Sequence, residues 1–237
     1  MKKKHLRWII PAGVLVLLAS AFFVFVSIYY HADDEAREAI VSDAAVMVSE
    51  TDYGWLFDGP GEEDALIFYP GAKVEASAYA PLLHKLAEEG MDVCLVKMPF
   101  NLAFFDMNRA DAVMKAHSYA RWYAGGHSLG GAIAASYAAE HGEELTGLIL
   151  FAAYSTKQLD ENLLEISIYG SEDRVLRLDK VEEGRAFAPK DYLEYVIEGG
   201  NHAQFGSYGP QKGDGEALIS AGEQIRLTVE YIIEHKR

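Results

Sequence analysis

Ser128 stands in Gly126-His127-Ser128-Leu129-Gly130, a G-x-S-x-G pattern. Trp122-Tyr123-Ala124-Gly125 leads in as a strand, and the alanine-rich stretch Gly131 to Ala139 leads out as a helix. In that setting the strand-to-helix turn is tight enough to need glycine at its flanks, and the serine is thrust outward. A serine so placed, given a base, attacks carbonyl carbon, and the chemistry is acyl transfer. A base and an acid are available downstream. His202 lies in Glu198-Gly199-Gly200-Asn201-His202, directly after an apolar run ending at Ile197. Ile166-Ser167-Ile168-Tyr169-Gly170-Ser171-Glu172-Asp173 reads as a strand followed by G-x-x-D, with Glu172 as the neighbouring competitor to Asp173. Of the other histidines, His5 and His31 flank an apolar segment, and His84, His141 and His235 fall in or beside helices. His117 precedes a strand. His127 adjoins Ser128, but neighbouring side chains at a tight turn diverge, so it is expected to support the turn.

The elements that must position these groups follow from the hydrophobic pattern. Short apolar runs occur at 65–69, 92–96, 121–125, 147–151, 164–169 and 192–197, bounded by Gly, Pro and Asp. Helical patterns lie between them, around 79–89, 108–116 and 129–140. Buried strands alternating with helices predict an α/β fold with a mostly parallel central sheet covered on both faces. Tyr53 to Phe57 is expected as a further short strand closed by Asp58-Gly59-Pro60-Gly61. The last helix carries a capping-box pattern, Ser220 with Glu223, and an apolar face at Ile225, Val229, Ile232 and Ile233.

From Ala65 to the C-terminus the sequence resembles the α/β-hydrolase superfamily. It is most similar to small, lidless bacterial esterases, including the dienelactone-hydrolase-like group, and departs from that group's usual cysteine nucleophile by having Ser128. The resemblance implies the chain order serine, acid, histidine, which makes Ser128 the nucleophile, Asp173 the orienting acid and His202 the base. It also implies an oxyanion hole. One donor is the backbone N–H of Leu129, at the positive end of a helix. The other comes from Tyr69-Pro70-Gly71-Ala72-Lys73, where the family usually has His-Gly and this chain has Pro-Gly; Ala72 is the first choice and Lys73 the second. About a dozen residues separate Phe151 from Leu164, where many relatives insert a cap, so no cap domain is expected. Phe100, in an aromatic stretch after a strand, and Tyr208, in an extended loop after His202, are expected to contact substrate. Core packing is the alternative for the aromatics. The implied reaction is cleavage of carboxylic esters through an acyl-enzyme, with small-molecule or lipid esters as substrates. Acyl transfer on the same triad is an alternative, as is a non-catalytic, membrane-tethered scaffold on the same fold. Neither a metal nor an organic cofactor is required.

The chain's 237 residues carry a net charge of −15. An excess of that sign repels phosphate backbones and argues against nucleic-acid binding. A single cysteine, Cys94, excludes an internal disulfide and a C-x-x-C metal site. From Trp8 to Tyr30 no side chain is charged, a length of about 34 Å as a helix, which predicts one transmembrane anchor. Lys2, Lys3, Lys4 and Arg7 precede it and Asp33, Asp34 and Glu35 follow. The N-terminus is therefore expected in the cytoplasm, and the catalytic domain outside the cell membrane. A cleaved signal peptide, cut after Ala19-Ser20-Ala21, is the rival reading. The expected organisation is a basic tail at 1–7, the anchor at 8–30, a linker helix at 31–50 and the catalytic domain at 51–237.

Overall fold

A computed structural model describes residues 2–237, with side chains from Pro11 onward. Eight strands form one sheet: β1 (Met47–Thr51), β2 (Gly54–Asp58), β3 (Asp64–Tyr69), β4 (Asp92–Val96), β5 (Arg121–His127), β6 (Gly147–Phe151), β7 (Leu164–Gly170) and β8 (Asp191–Ile197). Their order is β1-β2-β4-β3-β5-β6-β7-β8. β1–β2 and β2–β4 are antiparallel, and every later pairing is parallel. All six expected apolar runs are strands of this sheet. Because β3 to β8 run the same way, their carboxyl ends share one edge. The loops at that edge carry 70–73, Ser128, Asp173 and His202.

Alternation along the strands feeds two cores. Leu66 and Phe68 of β3 point with Leu95 and Ile149 toward α3 (Ala80–Glu88) and α7 (Ala221–His235). Ile67 and Tyr69 point with Leu148 and Leu150 toward α4 (Arg109–Ala116) and α5 (Leu129–His141). Residues buried on both faces explain why these strands read as continuous apolar runs. Half of the capping box expected for α7 forms: Ser220 Oγ accepts from Glu223 N at 3.2 Å, while the Glu223 carboxylate accepts from Arg226 instead of reaching back to the cap. α6 (Leu178–Gly184) was not foreseen from the sequence.

The N-terminal region differs from expectation in two respects. α1 runs from Lys2 to Ser27, so the expected span of 8–30 ends three residues early, and the side chains of residues 8–10 lie outside the description. Among the described residues no helix is long and apolar enough to cross a membrane. Tyr30 is instead paired to the α/β body: its N–H donates to Lys73 O at 2.7 Å, and its carbonyl accepts from Glu75 N at 2.9 Å. The expected linker helix at 31–50 is cut to α2 (Asp34–Ala39). Beyond its end, Asp43 Oδ1 accepts from Ala45 N and Val46 N and turns the chain into β1.

Candidate active site

β5 delivers Ser128 at its end. Ser128 sits at φ 53°, ψ −123°, a strained conformation for a residue with a Cβ. Its N–H donates to Phe151 O at 2.9 Å and its carbonyl accepts from Ala132 N at 3.1 Å, so strand and helix clamp the turn from both sides. Gly130 is required by close approach: a Cβ there would land on the carbonyl oxygens of Tyr69 and Pro70. The same contact lays the 70–73 loop directly against the serine turn.

Asp173 and His202 form a buried pair. His202 Nδ1 lies 2.8 Å from Asp173 Oδ2, with both side chains almost wholly shielded from solvent. Asp173 Oδ1 accepts from Val175 N and Leu176 N, each at 2.8 Å, which fixes the carboxylate's orientation. A carboxylate only accepts, so Nδ1 carries the imidazole proton and Nε2 presents a lone pair. That Nε2 is buried and has no hydrogen-bond partner among the described residues. Ser128 and His202 line one cleft of about 290 Å³, together with Leu129, Ala152, Tyr154 and Leu176. The Ser128 hydroxyl makes no hydrogen bond to the imidazole here; such contacts commonly close only when substrate is bound. A larger cleft of about 540 Å³ lies behind the His202 loop, lined by Asp33, Glu35, Asp214 and Glu216 among others. Its one serine, Ser207, has no histidine beside it in the lining, whereas the smaller cleft brings a serine and an imidazole together.

The expected amide donors stand between amides already engaged. Gly71 N donates to Tyr79 Oη at 3.0 Å and Lys73 N to Asn101 O at 2.8 Å. The Ala72 N–H between them meets no acceptor among the described residues, and neither does that of Leu129 at the head of α5. This favours Ala72 over Lys73, whose amide is spent and whose ammonium lies over the Phe25 ring at 4.2 Å.

Three features at the site were not read from the sequence. Tyr79 Oη lies 2.8 Å from His127 Nδ1. Having accepted from Gly71 N, the hydroxyl spends its proton on that nitrogen, and burial, which pushes the phenol's pKa up, keeps the proton in place. His127 is thus the support expected for the turn. Burial first, and the adjacent His202 second, hold its imidazole well below the ordinary histidine range, so it stays neutral. Asp214 is the second feature: its carboxylate accepts from the backbone N–H of Arg174, His202, Ala203 and Gly215 and holds the His202 loop in shape. The third is Tyr154 and Arg177 at the cleft rim; Arg177 follows the acid in the chain, the one signal that pointed there. Two expected contact residues are not in the cleft. Phe100 is 45% exposed and packs on Phe22 and Phe105, because a left-handed turn at Phe100 and Asn101 (φ 57° and 54°) directs the loop outward. Tyr208 is buried against Tyr30 and Tyr79, and its hydroxyl donates to Gln211 Oε1 at 3.0 Å.

The pattern that defines the alpha/beta hydrolase family matches residues 65–226. This chain belongs to the alpha/beta hydrolase family. Among solved structures, the hydrolase is similar in fold to a bacterial heroin esterase, at 13% identity and a TM-score of 0.57, over 86% of this chain and 88% of that one. It is similar to the dienelactone hydrolase of Anabaena variabilis, at 15% identity and a TM-score of 0.55, over 83% and 99%. The monoacylglycerol lipase of Paleococcus ferrophilus is a third, at 14% identity and a TM-score of 0.57, over 74% and 96%. Among curated proteins none matches. At such identities the likeness is one of fold.

Proposed function

We propose that this hydrolase cleaves carboxylic esters through an acyl-enzyme on Ser128, with His202 as base and Asp173 as its orienting acid. The observation that carries the reading is one cleft in which a strained, half-exposed Ser128 faces a histidine whose Nδ1 is committed to Asp173 and whose Nε2 is free. In this mechanism Nε2 accepts the Ser128 proton as Oγ attacks the ester carbonyl. The Leu129 and Ala72 amides stabilise the oxyanion. His202 then returns the proton to the departing alkoxide, and water repeats the sequence to release the acid. The alanine and leucine lining of the cleft suits an acyl chain of modest length. The uncharged N-terminal segment, with cations before it and acids after it, supports a tether that holds the domain at the outer side of the cell membrane.

A fluorophosphonate probe should label the wild type and leave Ser128→Ala unlabelled. The variant's esterase rate should fall by about 10⁴-fold or more, at an unchanged urea midpoint. Full labelling of the alanine variant would mean that another residue is the nucleophile.

A further inference from the structure

The loop after β4 and the end of α1 form one apolar surface beside the catalytic edge. Phe104 and Phe105 are 48% and 45% exposed, as much as Phe100, and Met107 adds to the same patch at 37%. Large side chains in this position normally turn inward, and here Leu102 and Ala103 do so while the aromatics do not. Phe105 contacts both of the other rings, with centroids 5.6 Å from Phe100 and 4.4 Å from Phe104. Phe22 of α1 packs on two of them, 5.3 Å from Phe100 and 6.2 Å from Phe105. The patch therefore continues into a helix whose Leu15, Leu17, Leu18, Phe23 and Val24 are each 60% or more exposed. A continuous apolar surface of this kind on a soluble domain marks an interaction site.

Position ties this surface to the chemistry. The Lys73 N to Asn101 O bond joins the aromatic loop to the loop carrying the Ala72 amide. The cleft lies on the β6–β7 side of Ser128, and the patch follows β4, on the opposite side of the same sheet edge. Lys73 and the exposed Lys97 flank it, two cations on an otherwise strongly acidic chain. Aromatic rings bordered by lysines suit the boundary between acyl chains and phosphate headgroups. A second copy of this chain is disfavoured by its charge of −15.

We propose that the Phe100, Phe104 and Phe105 surface seats in the headgroup–acyl boundary of a phospholipid bilayer, so that the catalytic edge faces the membrane and takes its esters from it. The inference rests on the tether reading and adds to it, since a tether alone leaves the domain free to stand clear of the lipid.

The test uses the full chain in phosphatidylcholine–phosphatidylglycerol vesicles, with an environment-sensitive thiol probe on Phe104→Cys. The one native thiol does not compete: Cys94 is buried, and burial pushes it up to about 12. A second variant, Lys190→Cys, places the probe just before β8, on the opposite edge of the sheet. The expected result is a blue shift and loss of emission with brominated phospholipid at position 104, and neither at position 190. Protein that floats with the vesicles while the 104 probe reports water would leave the tether standing and overturn this inference. A blue-shifted probe that brominated lipid does not quench would signal burial against protein, a second copy included, and would also overturn it. Protein that fails to float would remove both readings.

Discussion

Tyr79 joins two parts of the site through a single hydroxyl. It accepts from Gly71, next to the Ala72 amide, and donates to His127, next to Ser128. Removing it leaves a buried N–H and a buried imidazole nitrogen unpaired, at a cost of about 1–3 kcal/mol. Tyr79→Phe should therefore lower the urea midpoint. With the oxyanion loop no longer pinned to the serine turn, kcat should fall by about tenfold while KM stays near its wild-type value. Steady-state kinetics on a short-chain ester checks the split; an unchanged kcat would reduce Tyr79 to core packing. Nothing in Ser77-Ala78-Tyr79-Ala80 distinguishes this tyrosine in the sequence. Its partners are brought to it by the crossover between β3 and β5, which no local pattern reports. Ser128, by contrast, was legible because its chemistry is written locally, in glycines that must lie within a few residues of it.

The segment from Ile197 to Ser220 shows how much of an element's job falls to its supports. Its first turn is stitched to α7, where Gln224 accepts from Asn201 N at 3.0 Å and donates to Asn201 O at 2.8 Å. Its return leg brings in Asp214, which gathers four backbone amides, those of His202 and Ala203 among them. Asp214→Ala should destabilise the fold by about 1–3 kcal/mol, because those amides lose a charged acceptor. It should lower kcat/KM further than the loss of folded protein explains, which denaturant titration and kinetics on the same sample will separate. That His202 occupies a loop was plain from the apolar run before it. The return leg was not, since Gly213-Asp214-Gly215 looks like any polar turn until its distant contacts are known. The stretch 46–50 failed for a different reason: Val46, Met47 and Val48 suit a helix face and a short strand equally, and pairing with β2 decides between them.

For the molecule as a whole, buried ionisable groups set how stability depends on pH. Glu165 of β7 is 3% exposed; Ser155 Oγ donates to one carboxylate oxygen at 3.1 Å and the other oxygen has no partner among the described residues. Burial raises it from 4.5 to about 7. A raised folded value means that its contribution is fully present below about 4.5 and is lost as pH climbs to about 7. Glu165→Gln should then be more stable than wild type at pH 8, by about 2–3 kcal/mol, with the gap closing toward pH 5. His127 acts in the opposite sense. Its folded value is depressed, so stability is intact above the ordinary histidine value of about 6.5 and declines as pH falls below it. Urea midpoints across that range, measured for both proteins, test the assignment. A midpoint difference that does not change with pH would exclude a titrating Glu165. The sheet and its covering on both faces were readable in the sequence, because a doubly covered parallel sheet imposes apolar runs on nearly every strand. The glutamate within Leu164-Glu165-Ile166 was not singled out, since the apolar run does not say whether a carboxylate in it finds partners or is left to shift its ionisation.

The pairing of Tyr30 with Lys73 and Glu75 leaves only Ile28 and Tyr29 between the end of α1 and the first bond to the catalytic domain. Two residues span about 7 Å at full stretch, so the domain has almost no slack with which to swing about its own stem. The stem joins the body by an isolated bridge to Val74, two residues beyond Ala72. A tilt of α1 would therefore reach the 70–75 loop, which lies against the Ser128 turn, with no linker in between to absorb it.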